Sequence, residues 1–140
     1  MKQNAQLMAM IYVDSVEEAR SFYVDKLGFS HLMGMLGKDG LLDFCTVALG
    51  GARIMLMRPT EDMEATSATT AKRPVEFYLE VADVEAYHEQ LKQQKIRPKT
   101  PLTDQWWGDR TFTIIDPFGY QIWFYQNVAE PKLPQGAKVV

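Results

Sequence analysis

The sequence predicts an α+β fold built from two tandem βαβββ modules, and three observations support that prediction. The order strand, helix, strand, strand, strand occurs twice along the 140 residues. An offset of 68 residues aligns the two occurrences without a gap; it places Gly51 on Gly119 and Phe44 on Phe112. The third observation is the stretch over residues 106–126, where two aromatic-rich strands flank a tight turn.

The first module is predicted over residues 1–57. Residues 8–13 alternate in a strand pattern, and a helix capped by Ser15 or Asp14 follows with apolar residues at helical spacing until Gly28 ends it. Three more strands are then predicted, separated by glycine-containing turns, over residues 30–36, 42–49 and 53–57.

Residues 58–74 carry no apolar periodicity, so we predict a solvent-exposed connector, with a flap as the alternative role. The second module is predicted over residues 75–126. It begins with an alternating strand at residues 75–81 and a helix that runs from a cap at Asp83 to about Gln94. Residues 127–140, with two prolines and a glycine, are expected to form an extended C-terminal arm.

The turn of the last hairpin has a specific chemistry. Asp116 stands at its first position, Pro117 presets φ at the second, and Gly119 at the fourth tolerates a left-handed conformation. In the strand that follows, Trp123 and Tyr125 point to one side, and the aliphatic and phenyl side chains between them point to the other. This pattern predicts one core face and one amphipathic aromatic face.

Composition excludes several function classes. Cys45 is the single cysteine, so no internal disulfide framework exists, and the first ten residues lack the long apolar run of a signal peptide or membrane span. A net charge of −3 without a basic cluster argues against nucleic-acid binding. We therefore expect a cytoplasmic protein that has neither a membrane nor a nucleic-acid partner.

The pieces FYVDKLGF and DPFGYQIWFYQ, set within this repeat, resemble the vicinal oxygen chelate family, which includes glyoxalase I, extradiol dioxygenases and bleomycin-resistance proteins. The resemblance implies that each module curls its mixed sheet into a half-cup and that two cups surround a cavity. Each four-stranded sheet is too small to bury both faces alone, so the halves are expected to pair, within one chain or across a homodimer.

In the metal enzymes of that family, ligands come from four strand positions, which the resemblance places at Met8, Met55, Glu76 and Trp123. Of these only Glu76 is a ligand for a hard divalent ion, whereas a catalytic site needs about three nitrogen or oxygen ligands. The histidines, His31 and His88, match none of the positions and are expected to be surface or packing residues. The sequence thus predicts no metal and no cofactor, as in the metal-free bleomycin and mitomycin resistance branch, which sequesters a drug.

The side chains at the equivalent positions are apolar, polarizable and aromatic, with a few carboxylates. Such a surface suits a planar or cationic small-molecule ligand. Glu76 and Arg110 are expected to set its polarity, and Phe44 and Phe112 to lie beside it. The candidate ligand-binding residues are Tyr12, Met55, Glu76, Tyr78, Trp106, Arg110, Trp123 and Tyr125.

Several alternatives remain open at this point. The methionine and aromatic positions are also compatible with ordinary core packing or with a dimerisation scaffold whose cavity has collapsed. Arg110 is equally compatible with a structural pairing to Asp109 or Glu76. An enzyme of lyase, epimerase or dioxygenase type would use Glu76, as a base or as a lone metal ligand. Cys45, among apolar neighbours on a strand, is expected to be an inert buried thiol.

Overall fold

A computed structural model describes residues 6–59 and 75–139. The chain divides into two compact units, residues 1–71 and 72–140, and the described part of each contains one four-stranded mixed sheet and one helical segment. The prediction of an α+β fold with two βαβββ modules is confirmed. The predicted connector lies outside the described residues except for positions 58 and 59.

The first unit has its strands in the order β1-β4-β3-β2. β1 runs parallel to β4, and the other neighbouring strands are antiparallel. The elements are β1 Met8–Tyr12, α1 Val16–Ser21, a π-helical segment Phe22–Lys26, β2 Ser30–Leu36, β3 Leu42–Leu49 and β4 Ala52–Met57.

Helix α1 begins as predicted at a Ser15 cap, whose hydroxyl accepts from the Glu18 amide at 3.1 Å. The predicted single α-helix instead widens in its second half, where the Leu27 amide donates to the Phe22 carbonyl five residues back at 3.1 Å. The helical segment then ends at Gly28, whose φ of 85° suits glycine.

The second unit repeats the arrangement with the strand order β5-β8-β7-β6. Its elements are β5 Glu76–Glu80, α2 Val84–Gln93, β6 Thr100–Asp104, β7 Asp109–Ile115 and β8 Gln121–Asn127. The two tryptophans at positions 106 and 107 lie in the turn before β7, closed by a 3.1 Å bond from the Gly108 amide to the Gln105 carbonyl. The predicted first strand of the hairpin therefore starts later, at Asp109.

Each sheet packs one face against its own helix. In the second unit Phe112 and Phe124 are fully buried there, and the Tyr87 ring of α2 lies edge-on to Phe124 with centroids 4.7 Å apart. In the first unit Cys45 and Leu56 are the corresponding buried residues. The opposite face, which carries the alternate residues of each strand, is called the open face below.

The internal repeat is confirmed for the parallel pairs β1–β4 and β5–β8 but shifts by one residue at β7. Met8 pairs with Arg53 and Glu76 with Gln121, as the 68-residue offset requires. Phe44, however, pairs with the open-face residue Met57, whereas Phe112 pairs with the buried Phe124. The structural equivalent of Phe112 is Cys45. A one-residue slip moves a side chain to the other face, so the predicted position of Phe112 beside the ligand surface is wrong.

The C-terminal arm docks on the tryptophan turn. The amides of Val128 and Ala129 donate to the Gly108 carbonyl at 2.9 and 3.1 Å, and the Lys132 amide donates to the Trp106 carbonyl at 2.6 Å. The arm is thus held by backbone bonds to the segment that precedes β7.

Candidate ligand-binding site

The open face of the second sheet carries a cluster of aromatic rings. Tyr78 on β5 pairs with Trp123 on β8, and Tyr125 lies two residues further along β8 on the same face. The Tyr78 and Tyr125 rings are stacked with centroids 4.3 Å apart, and the Trp123 ring centroid lies 5.9 Å from that of Tyr78. We call these three residues the ring cluster. Tyr78 remains 44% exposed, so the cluster presents aromatic surface outward.

Glu76 holds one end of the ring cluster. Its Oε1 accepts hydrogen bonds from the Trp123 indole Nε1 and from the Gln121 amide nitrogen, both at 2.8 Å. Gln121 in turn accepts from the Lys99 ammonium at 2.6 Å. The carboxylate therefore fixes the orientation of the indole plane.

Asp109 forms hydrogen bonds at the other end of the ring cluster, around the Tyr78 hydroxyl. The Tyr78 hydroxyl donates to Asp109 Oδ2 at 2.6 Å and accepts from the Trp107 indole Nε1 at 2.9 Å, and the Asn127 amide donates to Asp109 Oδ1 at 3.1 Å. Burial, followed by the bond to Asp109, raises the pKa of Tyr78 to about 12. Burial and the nearby carboxylates of Glu80 and Asp109 also raise the pKa of Tyr125.

Asp109 and Trp107 are functional candidates that were not among the ligand-binding residues predicted from the sequence. The available signal was strand alternation from Tyr125: its partner on β7 is Thr111, so Asp109, two residues earlier, shares the open face. Trp107 precedes the strand, and nothing in its local sequence indicated a bond to Tyr78.

Trp106, the predicted candidate, lies in the turn before β7 and is not part of the ring cluster. Its ring is 50% exposed and sits edge-on to Trp107 with centroids 5.4 Å apart. It borders a cavity of about 350 Å³ between the turn and the C-terminal arm, which is also lined by Asp104, Val128 and Lys132.

The structure places Arg110 on the opposite, helix-facing side of the second sheet. Its guanidinium bonds Glu85 of α2 at 2.6 Å and Asp104 of β6 at 2.7 Å. Arg110 therefore does not lie beside Glu76 on the open face as predicted, because neighbouring residues on a strand point to opposite faces. The alternative of a structural pairing holds, but with Glu85 and Asp104 instead of Asp109 or Glu76. The same guanidinium lowers the pKa of the Asp104 carboxyl.

Tyr12 and Met55 lie on the open face of the first sheet. Met10 pairs with Met55, and Tyr12 pairs with Met57, which also faces Phe44 on β3. β2 adds further methionines, because Met33 pairs with Thr46 beside Met55. This face thus carries six of the eight methionines of the chain: Met8, Met10, Met33, Met35, Met55 and Met57.

The remaining reactive side chains occupy structural positions. Cys45 is fully buried, and burial raises the pKa of its thiol. The His88 ring lies edge-on to Phe112 with centroids 4.9 Å apart, and His31 Nδ1 accepts from the Arg20 guanidinium at 3.0 Å.

Over residues 6–59 and 75–139, no three His, Cys, Asp or Glu side chains come together in a way that would hold a metal ion. Within the same ranges no helix is both long enough and apolar enough to cross a membrane.

Comparison with known proteins gives a consistent result. The family model described as Glyoxalase/Bleomycin resistance protein/Dioxygenase superfamily matches residues 5–124. An uncharacterized protein of Mycobacterium bovis is 30% identical over 129 residues, covering 89% of this chain and 85% of its own length. A bleomycin resistance protein of Geobacillus stearothermophilus is 28% identical over 138 residues, covering 88% and 97%.

Among solved structures, TnmS3, an antibiotic binding protein from Streptomyces sp. CB03234, superposes with a TM-score of 0.65 at 22% identity. The match covers 90% of this chain and 99% of TnmS3. At this identity the likeness establishes a shared fold.

Proposed function

Because this chain belongs to the Glyoxalase/Bleomycin resistance protein/Dioxygenase superfamily, we propose that it is a metal-independent small-molecule binding protein that sequesters a planar or cationic compound. The observation behind the proposal is the ring cluster, whose three side chains are partly exposed on one sheet face. Planar ligands stack on such rings, and cations are attracted to their faces.

The polar contacts of the ring cluster support a binding role. Glu76 fixes the Trp123 indole and Asp109 fixes the Tyr78 hydroxyl, so both rings are oriented before any ligand arrives. Preorganised rings lose little conformational entropy on binding, which leaves more of the stacking energy available as affinity. The similarity to a bleomycin resistance protein at 28% identity is consistent with sequestration.

The open face of the first sheet supplies a second proposed ligand surface, to which Tyr12 and Met55 belong. Methionine side chains are flexible and polarizable, so a face with six of them adapts to apolar groups of varied shape. We assign to this surface the binding of apolar groups. Trp106 is a weaker candidate than the ring cluster. Its ring is not part of that cluster and instead borders the cavity beside the C-terminal arm.

We also propose that the protein is a homodimer, because a four-stranded sheet is too small to bury both faces alone and, within residues 6–59 and 75–139, the helical segment of each unit packs on one sheet face. Light scattering coupled to size exclusion should then give twice the chain mass of 16.0 kDa. A monomer mass at micromolar concentration would contradict this part of the proposal.

The test is isothermal titration calorimetry on EDTA-treated protein with two planar aromatic probes, the permanently charged N-methylacridinium and uncharged acridine. We expect at least one probe to bind without added metal. Trp123→Ala should weaken that binding about tenfold, since stacking on one aromatic side chain contributes about 1–3 kcal/mol. Leu133→Ala, which removes an exposed apolar side chain from the C-terminal arm, is the control and should bind as the wild type does.

Two results would count against the proposal. Equal affinity in the wild type and Trp123→Ala would remove the ring cluster from the site. Stoichiometric uptake of nickel, zinc, manganese or iron with a gain in thermal stability, detected by elemental analysis, would overturn metal independence.

A further inference from the structure

The open face of the second sheet has an uneven distribution of charge. Asp109, Glu76 and Glu80 all lie on this face, because Glu80 pairs with Tyr125 and Glu76 with Gln121. Lys99 reaches its margin through the bond to Gln121. The face therefore has more carboxylates than cations next to the ring cluster.

Asp109 differs from the other two carboxylates in its burial. It is only 9% exposed, and both of its oxygens accept hydrogen bonds from neutral donors, the Tyr78 hydroxyl and the Asn127 amide. Within residues 75–139, no Lys or Arg nitrogen forms an ion pair with it. Its lone pairs are thus satisfied, but its negative charge has no countercharge in this part of the chain.

Burying the Asp109 carboxylate without a countercharge costs desolvation free energy and strengthens its electrostatic field at the neighbouring rings. Desolvating a carboxylate is unfavourable unless an opposite charge approaches it. Water and salt also screen a buried charge less than an exposed one, so its field acts over the neighbouring rings. Burial is the main cause of the raised pKa of Tyr125, and the smaller contributions of Glu80 and Asp109 to it are consistent with a negative potential at the ring cluster.

We infer that Asp109 is the specificity-determining residue of the site and that it selects ligands carrying a positive charge next to an aromatic plane. The aromatic part stacks on Trp123, and the cation lies over the stacked Tyr78 and Tyr125 rings, beside the Asp109 carboxylate. Because the Tyr78 hydroxyl donates to Asp109, electron density in its ring increases and its attraction for a cation grows. This inference rests on the proposed function and narrows its ligand to an aromatic cation.

The test compares the affinities for N-methylacridinium and for acridine, at a pH where acridine is uncharged. Wild-type protein should prefer the cation about tenfold or more. Asp109→Asn keeps an oxygen that can accept from Tyr78 but removes the charge, so it should lose about tenfold in cation affinity and keep its acridine affinity. Glu89→Gln is the matched control: an exposed carboxylate on helix α2, on the other side of the second sheet, whose loss should change cation affinity by less than about threefold.

The possible results separate the inference from the proposed function. If wild-type protein binds both probes equally, or if Asp109→Asn loses both to the same extent, the charge selection is refuted while the binding function stands. If neither probe binds the wild type, both proposals fail. Should Asp109→Asn not fold, Glu80→Lys at the exposed neighbouring position provides the second test. Its ammonium should repel the cationic probe and leave acridine binding unchanged, and unaltered cation affinity would overturn the inference.

Discussion

Replacing Asp116 with alanine should destabilise the second unit by about 3 kcal/mol. Asp116 is 3% exposed, and its Oδ1 accepts from the Phe118 and Tyr120 amides at 2.9 and 2.8 Å. Each hydrogen bond to a charged acceptor is worth about 1.5–3 kcal/mol, and the two donors would be left without that partner. Asp116→Asn keeps one acceptor oxygen and should cost about 1 kcal/mol.

Urea unfolding monitored by tryptophan fluorescence measures this effect selectively, because all three tryptophans of the chain lie in the second unit. With a slope of about 1 kcal/mol per molar urea for a unit of this size, the midpoint for Asp116→Ala should fall by about 3 M. Asp83→Ala is the matched control, since it removes a single cap bond, to the Ala86 amide at 3.0 Å, and should cost about 1 kcal/mol.

The reasoning would be refuted if Asp116→Ala lost no more stability than Asp83→Ala. In that case the amides of the turn would find other acceptors at no cost, and the DPFG turn would be a consequence of strand pairing instead of a contributor to it.

Two further predictions concern the same unit. Gly108 has a φ of 100°, and an added Cβ would overlap the Ala129 carbonyl oxygen, so Gly108→Ala should cost well over 1 kcal/mol in urea unfolding and expose the arm to proteolysis. Gly136→Ala, also at positive φ but with open surroundings, should cost only about 1 kcal/mol, and equal losses would exclude the steric argument. The pKa of Tyr78, raised by burial and then by Asp109 to about 12, means that the stability gained from its neutral form is complete below about pH 10 and is lost as the pH rises through about 12. Absorbance titration should show this tyrosine ionising at lower pH in Asp109→Asn, and unchanged curves would contradict the assigned bond.

The parts of the fold set by local chemistry could be predicted from the sequence. Strand alternation and turn residues gave the order of elements in both units, and Ser15 and Asp83 cap their helices as expected. The π-helical turn could not be predicted, because the apolar residues keep ordinary helical spacing through the segment in which the Leu27 amide donates to the Phe22 carbonyl.

The site was harder to predict, because it depends on register and on distant contacts. The predicted place of Phe112 is wrong because of a single-residue shift between the repeats, which the sequence does not reveal. Arg110 was expected to set the polarity of the ligand surface, but it lies on the helix-facing side, where it pairs with Glu85 and Asp104. Asp109 and Trp107 meet Tyr78 across 31 and 29 residues of sequence, so their bonds exist only once β5 and the turn before β7 are brought together.

Helix-facing and open-face residues alternate along each strand, and the two sets are under different evolutionary constraints. Substitutions on the helix-facing side are limited by packing density, whereas those on the open side change mainly what the surface attracts. The repeat illustrates that freedom, because one framework carries a thioether-rich surface in the first unit and a ring-and-carboxylate surface in the second. A lineage with this architecture can therefore change its ligands through a handful of outward positions while its core stays intact. Five equivalent pairs differ in this way: Met8 and Glu76, Met10 and Tyr78, Tyr12 and Glu80, Met55 and Trp123, Met57 and Tyr125.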